Sequence, residues 1–66
     1  MQVWINGKPG ELADGARVPD ALALLGVPET GIAVAVDGAV VPRAAWAATV
    51  LTDGTRVEVL TAVQGG

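Results

Sequence analysis

The chain has 66 residues, enough for one domain, and a domain of this size buries only about 60% of the surface its unfolded form exposes, so modest stability is expected. Four Lys and Arg stand against seven Asp and Glu, a net charge of −3, which leaves no basic cluster for nucleic-acid phosphates. There is no Cys, His, Ser or Tyr, which excludes disulfide staples, thiolate and imidazole metal sites, and Ser/His or Cys/His nucleophile pairs.

The opening "MQVWING" has period-2 alternation, with Val3 and Ile5 on one face and Gln2, Trp4 and Asn6 on the other. "NGKPG" then predicts a hairpin turn, followed by a short second strand around Glu11 to Ala13. This opening lacks the basic and apolar regions of a secretion signal. No apolar run approaches the ~18 residues of a membrane span. A cytoplasmic location without membrane contact is therefore the expectation, and the absence of Cys fits a reducing compartment.

"VPDALALLGVP" predicts a helix. Pro19 suits the first helical position, Asp20 places negative charge at the positive end of the helix dipole, and Gly26 with Pro28 ends the element. Val18, Leu22 and Leu25 recur at helical spacing and predict a buried stripe with Leu24 beside it. Val18 offers no side-chain cap, so the start of the helix is the least defined boundary. "GIAVAVDG" predicts a strand with Ile32, Val34 and Val36 on one face and Ala33 and Ala35 on the other. "AVVP" is a short extended segment, and "RAAWAAT" is one helical turn anchored by Trp46 as a core plug. Arg43 in that turn reads as a solvated or capping residue. The last strand is expected from about Arg56 to Val63, with Val57, Val59 and Val63 facing one way and Arg56, Glu58, Leu60 and Ala62 the other.

Asp14, Asp37 and Asp53 each precede a glycine. They read as turn formers, not as catalytic acids. With no other group suited to nucleophilic or acid–base work, a self-contained enzyme is not expected. The element order is β-β-α-β-β-β, an α+β arrangement in which one helix covers one face of a mixed sheet of four to five strands. The first and last strands can lie side by side at its centre, which is the ubiquitin-like or β-grasp topology.

The chain ends in "RVEVLTAVQGG". "VWING" with its hairpin, the short helix, "VDGAVVPRAAW" and "DGTRVEVLTAVQGG" together resemble the ThiS family, the sulfur carrier proteins of thiamine biosynthesis. The resemblance covers essentially the whole chain, and "VPRxxW", a D-G turn and a strand ending in Gly-Gly are far more specific together than terminal Gly-Gly alone. Val18-Pro19 at the helix start and the bulky Trp4 depart from the pattern without touching the chemistry. The resemblance implies one domain over residues 1–66 with a flexible tail over 64–66. It also implies that a partner adenylyltransferase of the ubiquitin-activating-like family adenylates the carboxylate of Gly66 with ATP. Sulfur from cysteine, supplied by a cysteine desulfurase, then gives a thiocarboxylate that passes to a thiazole synthase. The residues fit this division of labour, because a carboxylate is a poor electrophile until activated and the chain has neither a phosphate-binding loop nor a thiol. No cofactor is expected on the chain itself.

Gly65 and Gly66 lack Cβ atoms and can lie in a narrow channel, and three residues beyond Val63 reach about 10 Å. Trp4, Leu60 and Ala62, with Gln64 beyond them, are expected to form a partner-binding surface on the uncovered sheet face. The alternative for Trp4 is partial cover by a loop. Three other functions remain open at this point. They are the sulfur-carrying small subunit of molybdopterin synthase, a ubiquitin-like modifier joined through Gly66, and an interaction domain with an inert tail.

Overall fold

Alternation at the N-terminus produces the first strand as predicted: in β1 (Gln2–Ile5), Val3 and Ile5 are buried while Gln2 and Trp4 are exposed. The computed structural model describes residues 1–61. Its remaining elements are β2 (Lys8–Glu11), α1 (Val18–Leu25), β3 (Ile32–Val36), β4 (Ala39–Val41), a 3₁₀ helix (Arg43–Ala48) and β5 (Arg56–Thr61). The strands form one mixed sheet in the order β2-β1-β5-β3-β4. β1 and β5 run parallel, and the other pairs are antiparallel. This is the β-grasp arrangement, with the last strand at the centre and the first beside it.

The second strand begins earlier than its sequence suggests. Asn6 and Gly7 both have positive φ, +52° and +82°, which is what a two-residue hairpin turn between twisted strands requires. Lys8, Pro9 and Gly10 therefore belong to β2 and not to the turn, and the strand ends at Glu11. Pro9 is tolerated because β2 is an edge strand. Asp37 and Gly38 repeat the same solution between β3 and β4, with φ of +49° and +87°.

Helix α1 starts from Arg17. The Arg17 N–H donates to Asp20 Oδ2 at 2.8 Å, and the Asp20 N–H donates back to Arg17 O at 2.9 Å. Asp20 thus caps the helix as well as complementing its dipole. Gly26 closes it in the left-handed conformation at φ +81°. The buried stripe is Val18, Ala21 and Leu22. Leu25 does not complete it and is 37% exposed. The helix ends at that residue. Leu24, half exposed, extends across Gly10 instead.

The core joins Val3, Ile5, Val18, Ala21, Leu22, Val34, Trp46, Leu51, Val57 and Val59. Trp46 is buried as a plug, its indole N–H donating to Val41 O at 2.9 Å. Arg43 stacks its guanidinium over the Trp46 ring, 5.7 Å from the centroid. Leu51 is 2% exposed and sits in a segment without periodicity. It is anchored by a hydrogen bond to Ala16 O at 2.8 Å, beside an isolated bridge between Arg17 and Val50. Among the described residues no helix is long and apolar enough to cross a membrane.

Candidate functional site

β5 is central and its side chains alternate, so its two faces meet different surroundings. Val57 and Val59 enter the core beneath α1. Arg56, Glu58 and Leu60 point to the opposite face, which no helix covers among the described residues. Cross-strand register shows what joins them there. Trp4 lies opposite Arg56 on one side and Pro9 on the other. Leu60 lies opposite Ala33, and Ala35 stands between Glu58 and Val40. Trp4 is 39% exposed, Leu60 64% and Val40 76%. Trp4 borders a shallow pocket lined by Gly7, Arg56, Val57 and Glu58.

The small Ala33 and Ala35 keep this surface low between its larger apolar members, and Arg56 and Glu58 set opposite charges beside Trp4. By this register Arg56 and Glu58, on the central strand, lie between Trp4 on one side and Ala33, Ala35, Val40 and Leu60 on the other, so exposed apolar side chains flank a pair of opposite charges. Val40 was not expected on this face, because "AVVP" is too short for its facing to be read before its pairing with Ala35 is known. Of the expected site residues, Trp4 and Leu60 lie on this one face. Ala62, Gln64, Gly65 and Gly66 lie outside the described residues.

The three Asp-Gly aspartates are in turns. Asp53 Oδ1 accepts the Gln2 N–H at 2.8 Å, tying the turn before β5 to the start of β1. Asp37 Oδ1 accepts the Arg56 N–H at 2.9 Å. Asp14 lies 3.7 Å from the Met1 ammonium. Asp53 and Asp37 tie backbone segments together, and among the described residues no cluster of acidic side chains could hold a metal ion. Asn6 does more than its turn requires. Its carboxamide exchanges two hydrogen bonds with the backbone of Val59, at 2.8 and 3.2 Å. Sequence alone marks Asn6 as a turn residue and gives no sign of this contact across 53 positions.

Known proteins share this architecture. The crystal structure of the thiamine biosynthesis protein ThiS from Geobacter metallireducens superposes with a TM-score of 0.83 at 35% identity, with both chains covered completely. The solution structure of a thiamine biosynthesis protein from the same organism gives 0.77 at 35% identity, covering all of this chain and 88% of that one. The sulfur carrier protein ThiS of Escherichia coli (strain K12) is 30% identical over 66 residues, the full length of both sequences. The ThiS family profile matches residues 3–66. The chain belongs to the ThiS family.

Proposed function

We propose that this protein is a sulfur carrier of thiamine biosynthesis that works as one domain, with residues 64–66 as its reactive tail. A partner adenylyltransferase brings the Gly66 carboxylate to the α-phosphorus of ATP, and pyrophosphate leaves. The resulting acyl-adenylate has AMP as its leaving group. A persulfide sulfur that a desulfurase draws from cysteine attacks the acyl carbon and AMP leaves; a thiol of the sulfur-delivering partner then cleaves the acyl disulfide, forming a disulfide there and releasing the thiocarboxylate, which donates sulfur to a thiazole synthase. The chain acts as a co-substrate and not as an enzyme, and ATP is bound by the partner.

The observation that carries this reading is the family match, which runs through the Gly65-Gly66 pair to residue 66. Two features support it. The chain lacks Cys, His, Ser and Tyr, so activation chemistry must come from another protein. The face that carries Trp4 on β1 and Leu60 on β5, the last strand before the tail, offers exposed apolar side chains on which that protein can dock. Docking through a folded face and reacting through a thin tail separates recognition from chemistry.

The test is ATP–pyrophosphate exchange with the purified adenylating partner. The chain ending at Gly66 should support exchange. A variant with one residue added after Gly66 should not, because an unreactive amide replaces the carboxylate. Gly65→Ala should be milder, restricting the backbone and adding a methyl group without removing the carboxylate. Full exchange with an untrimmed extended chain would refute Gly66 as the reactive group.

A further inference from the structure

Asn6 stands where β1 stops, and it meets two demands at once. Its backbone takes φ +52° ahead of Gly7, as the hairpin turn requires. Its side chain reaches β5, where Oδ1 accepts the Val59 N–H and Nδ2 donates to Val59 O. The Asn6 N–H has already gone to Val57 O at 2.9 Å. The carboxamide therefore stands in for the peptide group that β1 would supply if it ran further. Gly and Asp also tolerate this backbone, but Gly has no such arm and an ionised Asp only accepts.

The clamp lies beyond the reach of ordinary pairing. β1 and β5 are matched only at Trp4–Arg56 and Ile5–Val57. Val59, Leu60 and Thr61 are held on the opposite edge by Val34, Ala33 and Ile32 of β3. Without Asn6, the last residues of β5 would be secured from one side. Those residues carry the exposed Leu60, and seven more positions lead from Val59 to Gly66. The five positions beyond Thr61, at about 3.3–3.6 Å per residue, reach at most roughly 18 Å, so where the end of β5 is fixed limits where the carboxylate can be delivered.

We propose that Asn6 is a positioning residue for sulfur loading: by clamping Val59 it ties the end of β5 to β1 and so fixes the point from which the C-terminal segment is presented to the activating partner. The kinetic consequence rests on the proposed sulfur-carrier function; the clamp itself does not. Asn6→Gly keeps the positive φ and removes the arm. Asn6→Asp keeps the acceptor for the Val59 N–H but sets a carboxylate oxygen against the Val59 carbonyl.

Two measurements separate the parts. Amide hydrogen exchange by NMR on the isolated chain reads the clamp, and pyrophosphate exchange with the adenylating partner, analysed for kcat and KM of the carrier, reads its use. Asn6→Gly should speed Val59 amide exchange by about tenfold while Leu22 and Val34 amides are unchanged. It should lower kcat about tenfold with KM within about threefold, because the Trp4 surface remains. Asn6→Asp should fall between it and the wild type. Unchanged Val59 exchange in Asn6→Gly, or a uniform rise across core amides in both variants, would overturn the clamp. Faster Val59 exchange with unaltered kcat and KM would leave the clamp standing and overturn its role in sulfur loading. A wild-type chain silent in pyrophosphate exchange would overturn the sulfur-carrier reading and the kinetic role together, whereas a silent Asn6→Gly beside an active wild type would not.

Discussion

Replacing Leu22 by Ala removes three carbons from a side chain that is 1% exposed and clustered with Val3, Ile5, Val34 and Val57. At ~0.8 kcal/mol per buried methyl or methylene group, the transfer loss alone is about 2.4 kcal/mol. Incomplete collapse of the space left behind raises the total to about 3–4 kcal/mol. A chain of 66 residues, at ~0.05–0.15 kcal/mol per residue, has about 3–10 kcal/mol in all. The substitution should therefore remove a third or more of the stability. With a urea dependence near ~1 kcal/mol per molar for so small a protein, the midpoint should fall by about 3 M. Fluorescence of the buried Trp46 in a urea titration reads this directly. Leu24→Ala, on a side chain that is 50% exposed, should cost less than about 1 kcal/mol. A loss below about 1 kcal/mol for Leu22→Ala, or an equal loss for both, would refute the assignment of helix faces.

On the uncovered sheet face, Trp4→Glu and Leu60→Glu should change stability by no more than about 0.5 kcal/mol and weaken binding to the adenylating partner by about tenfold or more. Calorimetric titration beside a thermal melt checks both, and normal binding by both variants would contradict the docking assignment. Gly38→Ala should cost about 1 kcal/mol or more, because φ is +87° there. Gly10→Ala should cost less than Gly38→Ala, since the new methyl crowds the far end of the flexible Leu24 side chain, at 2.8 Å, and otherwise makes ordinary contact with Ile5 Cδ1 at 3.6 Å. Thermal melts of the pair decide between backbone strain and crowding as the dominant cost.

Much of this architecture is legible in the residues. Val3/Ile5 and Val57/Val59 alternate because one face of each strand is buried, so period alone places them in the core. Asn6-Gly7 and Asp37-Gly38 predict tight turns because few residues accept positive φ. Other features depend on distant neighbours that no local pattern encodes. The start of β2 at Lys8 follows from a turn shorter than "NGKPG" suggests. Leu25 has the right spacing for the core but is the last residue of the helix and stays 37% exposed, while Leu24 takes the place over Gly10. Leu51 is buried by a contact with Ala16 from across the chain. Trp4 and Leu60 were readable as a face once strand polarity was assigned. Val40 and the Asn6–Val59 clamp emerge only when the register is known.

Intact and tandem mass spectrometry of the protein isolated from its own cells, grown without thiamine, tests the central claim most directly. The account predicts a population in which one oxygen of the C-terminal carboxylate has been replaced by sulfur, with the mass change confined to a fragment ending at Gly66. It also predicts that this species disappears when the adenylating partner is absent. A chain carrying only unmodified carboxylate under these conditions, or one recovered in branched conjugates through Gly66 to lysines, would contradict it.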